Sequence, residues 1–171
     1  MILDGVRKKI INKLRNGARD NDTVRFEFNE IKKVAILVDL DNFKNPNLLF
    51  TAFKTLALKN ASLEVIGYVK KKEVEIEYVI PVYQKKEVGL IGKLKSEPLS
   101  GFVNKKYDVL INYFSEEVYE LVLVSTLTKA SIKVGFPTID KNCNDLILNC
   151  DFDKTTQFFE MLKNYLKVIK K

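Results

Sequence analysis

Lys33-Val34-Ala35-Ile36-Leu37-Val38-Asp39-Leu40-Asp41-Asn42 is the stretch that decides how the rest of the chain is read. Its five consecutive apolar residues, Val34 to Val38, stand between a lysine and an aspartate. A strand with one wet face alternates apolar and polar residues. An unbroken apolar run is the mark of a parallel strand covered by helices on both faces. Working outward, the spacing predicts a helix from about Pro46 to Leu58, with Leu48, Leu49, Ala52, Phe53 and Leu56 as its inner stripe. Leu63 to Val69 reads as a second strand. Residues 74–83 and 88–94 are strand-like and joined by the turn-prone Gln84-Lys85-Lys86, which fits a hairpin or an irregular edge.

Ser96 to Asn104 reads as a short helix with Pro98 in its first turn. Tyr107 to Phe114 is a strong strand, and Ser115-Glu116-Glu117 places acids where a helix start is positive. Val118 to Ala130 carries Leu121, Val122, Leu123, Val124 and Leu127, so as a helix it must be covered nearly all round. Two short strands, Ile132–Phe136 and Leu146–Asn149, precede a terminal helix from about Lys154. Its inner stripe is Phe158, Leu162, Tyr165, Leu166 and Ile169. Alternating strands and helices make the class α/β: three layers around a mostly parallel sheet, Rossmann-like or flavodoxin-like.

Upstream, residues 2–16 read as an extra basic amphipathic helix. Ile2, Leu3, Val6, Ile10 and Leu14 fall on one side, and Asn16-Gly17 forms the stop. The polar stretch from Ala18 contains one alternating segment, Val24–Phe28, read as an edge strand. The expected organisation is a helix over 1–17, a connector over 18–33 and a single α/β domain over 34–171.

The chain has 171 residues, 46% hydrophobic and 30% charged. Such a chain buries about 70% of its unfolded surface and needs no disulfide or metal to hold a core. It has no histidine and no tryptophan, which excludes serine–histidine and cysteine–histidine nucleophiles and most zinc and haem sites. No apolar run approaches the ~20 residues of a bilayer span. The opening Met1–Arg7 lacks the pattern of a secretory signal. Cys143 and Cys150 lie seven apart, form no CxxC pair, and read as inert thiols. The cytoplasm is the expected compartment.

The formal net charge is +7, and its placement matters more than its size. Residues 1–16 hold Arg7, Lys8, Lys9, Lys13 and Arg15 against Asp4. Residues 159–171 hold Lys163, Lys167, Lys170 and Lys171 against Glu160. Everything between is neutral, so the molecule reads as a neutral body with two basic ends. Basic ends attract RNA, DNA or acidic lipid at long range. For the first helix the anion-binding set is Arg7, Lys8, Lys9, Lys13 and Arg15. The bland reading is a helix packed on the domain, or on a second copy of it. It carries no Trp or Phe as an interfacial anchor.

Ligands of open parallel sheets bind at the carboxyl ends of the strands, where strand order reverses. The residues expected there are Asp39, Asp41 and Asn42, with Asn112, Ser115, Glu116 and Glu117. Two carboxylates spelled Asp-Leu-Asp after a buried strand are a pattern that holds magnesium and positions a phosphate. Val38-Asp39-Leu40-Asp41-Asn42 resembles the first motif of haloacid-dehalogenase-like phosphatases. It is also similar to the first strand of NYN-type nucleases. The phosphatase resemblance implies a nucleophile and a metal ligand in Asp39 and Asp41. Ser115, Lys129, Asp140 and Asp145 align to its later roles, while Phe43 stands where the family has a threonine. The nuclease resemblance wants an acidic pair after a later strand, where this chain has Asn-Tyr-Phe and Gly-Phe-Pro. The reading favoured on the residues alone is an Asx-type turn that caps the next helix.

No GxGxxG or GxxxxGK[ST] loop occurs. Gly89-Leu90-Ile91-Gly92 before Lys93 has the GxxG spelling of KH domains, but its strand-like context reads as a bulged hairpin. Lys70-Lys71-Lys72 between Tyr68 and Tyr78 has the makings of a nucleic-acid contact. Glu73, Glu75 and Glu77 follow at once, so a solvated turn is preferred. Taken whole, the chain resembles a family of small basic α/β bacterial proteins of unknown function from Bacteroidota. The resemblance rests on Met1–Arg15, Val34–Phe43 and the run Tyr107–Tyr113 through Lys133-Val134-Gly135-Phe136, and it implies no activity. That last run also resembles the nucleotide-free half of heptosyltransferase-like glycosyltransferases, which implies fold only.

The reading that results leans away from an enzyme. It is a cytoplasmic binding or adaptor protein that turns its basic ends to an anionic partner. RNA or a ribonucleoprotein comes first and a membrane surface second, with self-association through the first helix also open. No cofactor is expected. The alternative is a magnesium-dependent phosphatase or nuclease using Asp39 and Asp41, with Ser115 or Asn112 orienting phosphate.

Overall fold

A computed structural model describes residues 2–19 and 30–169. The expected edge strand Val24–Phe28, the side chain of Ile2 and the terminal Lys170 and Lys171 lie outside the described residues. The elements are α1 (Ile2–Arg19), β1 (Lys33–Asp39), α2 (Asn47–Thr55), β2 (Ser62–Val69), β3 (Val82–Gln84), α3 (Glu97–Val103), β4 (Lys106–Tyr113), α4 (Tyr119–Leu127), β5 (Lys129–Gly135), β6 (Leu146–Ile147) and α5 (Thr155–Ile169). Six parallel strands form one sheet in the order β3-β2-β1-β4-β5-β6. This is the doubly wound Rossmann order, and it reverses between β1 and β4.

The apolar run is covered on both faces, as its composition predicts. Val34 to Val38 are all buried in the centre of the sheet, flanked by β2 and β4. Alternate side chains feed two cores. Val34, Ile36, Val38, Val109, Ile111, Tyr113 and Val134 face α2 and α5, where Phe158, Phe159, Leu162 and Leu166 are buried. Ala35, Leu37, Tyr68 and Leu110 face α3 and α4, with Leu99, Phe102, Leu121 and Val124. The structure is therefore the three-layer α/β fold that the pattern predicts. Among the described residues no helix is long and apolar enough to cross a membrane.

Several details differ from the sequence reading. Residues 74–81 are not a strand. The segment joins the sheet only at Val82–Gln84, directly after Pro81, which has no N–H to give to the ladder. The next residues form a 3-10 turn, Lys85–Glu87, and a small hairpin closed by the antiparallel Val88–Leu94 bridge. α4 begins at Tyr119 after an uncapped Val118, so Ser115 is not its cap. α1 runs past Gly17 to Arg19. Leu48 and Tyr165, expected to face inward, are exposed, while Phe159 is fully buried.

α1 packs against α4, and Ile11, Ile10 and Leu14 join the second core. Every residue of α4 is buried or half-buried, so the sheet alone cannot cover it, and α1 supplies cover on the outer side. α1 and α5 consequently lie on opposite faces of the sheet.

Candidate functional site

The loop after β1 is built by its own side chains. The Asp39 carboxylate accepts the backbone N–H of Asp41 at 3.0 Å and Nδ2 of Asn42 at 2.8 Å. Its carbonyl accepts the N–H of Phe43 at 2.9 Å. Asp41 turns away and accepts the N–H of Lys70 at 2.8 Å, which ties the loop to the end of β2. Phe43, in the position where a phosphatase carries threonine, anchors the loop in the core. Its ring lies 5.0 Å from Tyr113 and 5.8 Å from Phe152, within an aromatic cluster that includes Phe136 and Phe158.

Asp39 is 1% exposed, and burial raises its carboxyl above the ordinary range despite the two donors that favour the charge. On its face of the sheet stand Tyr68 and Tyr83, both buried, with ring centroids 5.3 Å apart. Tyr83 donates to the carbonyl of Glu120 at 3.1 Å. Burial, reinforced by Glu120 and Asp39, pushes both phenols upward. This end of the crevice is acidic and phenolic.

Asp39 is poorly placed to hold magnesium: each of its oxygens already accepts an N–H donor and the group is shut from solvent, while the exposed Asp41 turns away to Lys70. Among the described residues no cluster of three metal-ligating side chains is formed.

Val38 pairs with Tyr113, so the loops after β1 and β4 leave adjacent strand ends. The second loop does not complete a site. Glu117 accepts the backbone N–H of Asp140 at 2.6 Å. Asn112 faces the α4 side and donates to Asn144 Oδ1 at 2.7 Å. Ile111 pairs with Val134, so Asn112 and Gly135 come next along their strands, and Asn144 lies over that glycine. A Cβ on Gly135 would sit 2.7 Å from Asn144 Cγ. The other amide atoms, Asn112 Oδ1 and Asn144 Nδ2, are buried without partners among the described residues.

Two features escaped the sequence reading. Lys133, inside β5, donates from Nζ to the carbonyl of Ser125 at 2.6 Å, placing a cation at the last turn of α4. Burial lowers its pKa, and burial raises that of its neighbour Cys143. Neither was marked by spacing, because a lysine in a strand and a single thiol read as ordinary residues.

The five basic residues of α1 divide. Arg7 stacks its guanidinium 5.0 Å above the Tyr119 ring. Arg15, whose side chain is 12% exposed, reaches Asp140 at 3.5 Å. The backbone N–H of Asn142 does most to hold that Asp140 carboxyl below its usual range, and Arg15 adds to it. These two arginines clamp α1 to the body. Lys8, Lys9 and Lys13 are exposed and make no ion pair among the described residues. At Lys70–Lys72 the cations are exposed, but Tyr68 is buried and presents no ring for stacking.

Compared with models of protein families, the chain matches a family of unknown function (DUF6913) over residues 4–169. No curated protein and no solved structure matches.

Proposed function

The chain belongs to this family of unknown function, and from that premise we propose that it is a binding protein that docks on an anionic partner through the outer side of α1. One observation carries the reading. Arg7 and Arg15 serve as inward clamps, so the helix has a fixed pose, and in that pose Lys8, Lys9 and Lys13 are exposed to solvent. Lysines on a fixed frame lose less freedom on binding than lysines on a loose tail. The alternative, phosphoryl transfer at Asp39 and Asp41, would bring a phosphate against a group of acids, Asp39, Asp41 and Glu120.

The test is elution from immobilised heparin. The wild type should elute at higher salt than a variant carrying Lys8→Glu, Lys9→Glu and Lys13→Glu, since each lost phosphate-type contact lowers the salt dependence. Co-elution of the two proteins would end the proposal.

A further inference from the structure

We infer that the anionic partner is a lipid surface, met by α1 together with the hairpin tip Leu90-Ile91. The inference rests on the binding role proposed for α1 and names its partner. The tip is shaped by its own backbone: Gly89 N–H donates to the Lys93 carbonyl at 2.8 Å, Gly92 N–H to the Gly89 carbonyl at 3.0 Å, and Gly92 sits at φ +91°. That geometry throws Ile91 outward to 78% exposure and leaves Leu90 at 42%.

Tyr119 joins this tip to α1. Its hydroxyl donates to the Leu90 carbonyl, and its ring lies beneath Arg7. The first turns of α1 and the hairpin are therefore neighbours on one side of the molecule. On that part of α1, Leu3 is 48% and Val6 39% exposed. Leu3, Val6, Lys9 and Lys13 follow one another by three, three and four residues, so apolar and cationic side chains share one exposed stripe.

Isolated exposed aliphatic residues are ordinary on any protein surface. Here Tyr119 links the tip that carries Leu90 and Ile91 to Arg7 of α1, and Leu3 and Val6 lie within one turn of that arginine, beside lysines. RNA offers phosphates to the lysines but nothing to Ile91, since bases are recognised by stacking on aromatic rings and by hydrogen bonds. An anionic bilayer answers both halves: headgroups meet Lys9 and Lys13, and the acyl boundary receives Leu3, Val6, Leu90 and Ile91. The tip also supplies the apolar anchor that α1 lacks, having no Trp or Phe of its own.

The chain has no tryptophan, so Ile91→Trp places a single indole fluorophore at an exposed position. Mixed with phosphatidylcholine vesicles containing phosphatidylglycerol, its emission should shift to the blue, and with phosphatidylcholine alone it should stay unchanged. Lys9→Ala with Lys13→Ala should weaken vesicle binding about thirtyfold, from about 1 kcal/mol per basic residue near such a surface. Ile91→Asp should abolish vesicle binding while heparin elution stays as in the wild type. If heparin or RNA is bound through the lysines but vesicles are not, and the indole of the Ile91→Trp variant keeps its emission, the lipid inference falls and the binding role of α1 stands. If heparin elution is also independent of the lysines, both fall.

Discussion

At Asp39 two physical demands oppose one another. The turn wants a carboxylate, because its two oxygens accept from Asp41 N–H and Asn42 Nδ2. The surroundings disfavour charge, because the residue is buried beside buried tyrosines. Burial prevails, and the folded-state pKa is raised above the ordinary 3.8. A raised acid favours the fold while protonated, so its contribution is fully present below 3.8 and is lost as pH rises through the folded pKa. Asp39→Asn keeps one acceptor and removes the charge. Relative to wild type it should therefore gain stability as pH is raised above that range, with a flat difference below it. Urea denaturation across pH reads this directly. Asp39→Ala loses both acceptors and should cost about 2 kcal/mol near neutrality. A loss for Asn as large as that for Ala would mean that the turn needs the charge itself. Gly135 makes the same kind of argument through space. Gly135→Ala displaces Asn144, breaks its bond to Asn112 and should cost about 1–3 kcal/mol by the same measurement. Asn112 was legible in the sequence as a polar residue at the right strand end. Its partner was not, since 32 residues separate it from Asn144.

Strand and helix identities were legible wherever a long apolar run spoke for itself. Val34–Val38 announced a parallel strand covered on both faces, and the apolar residues between 118 and 127 announced a helix needing cover nearly all round, although its expected end at Ala130 ran into β5. The identity of that cover could not be read, because periodicity marks an apolar arc on a helix without saying which edge of the arc meets the body. In α1 the arc includes Leu3 and Val6, yet the structure turns Ile11, Arg7 and Arg15 inward and leaves Leu3 and Val6 half in solvent. The two arginines can lie inside only because Tyr119 and Asp140, distant in the chain, stand ready to receive them. The segment 74–81 misled for a related reason. Val74, Ile76 and Tyr78 alternate with glutamates like a strand, but Pro81, with no N–H for the ladder, stands between them and the sheet, and only Val82–Gln84 pair with β2. The packing of α1 makes a sharp distinction between neighbours on one helix. Ile11→Ala should destabilise the protein by about 2–4 kcal/mol, because it opens a cavity between α1 and α4. Lys9→Ala and Lys13→Ala should each change stability by no more than about 0.5 kcal/mol. Equal, small effects at all three positions would mean that α1 does not hold to α4 in solution.

Across the whole chain, counting charges locates two basic ends but cannot locate them relative to each other. The sheet order does that. α1 covers α4 on one face and α5 covers the other, so the sheet stands between the two basic helices. They cannot press together on one flat surface. Lys167 of α5 also has a local explanation that the α1 lysines lack: it lies in the last turn of its helix, where a cation offsets the negative end of the dipole. Lys8, Lys9 and Lys13 lie within the body of α1 and have no such role. Lys163→Glu with Lys167→Glu should therefore lower thermal stability slightly and leave heparin elution almost unmoved, whereas charge reversal on α1 shifts elution strongly and leaves stability unmoved. A one-sided binder also cannot bridge two surfaces. Light scattering of anionic vesicles should show them coated but not clustered as protein is added. Clustering that disappears in the α5 variant would show instead that both faces bind, and would turn the molecule from a peripheral binder into a tether.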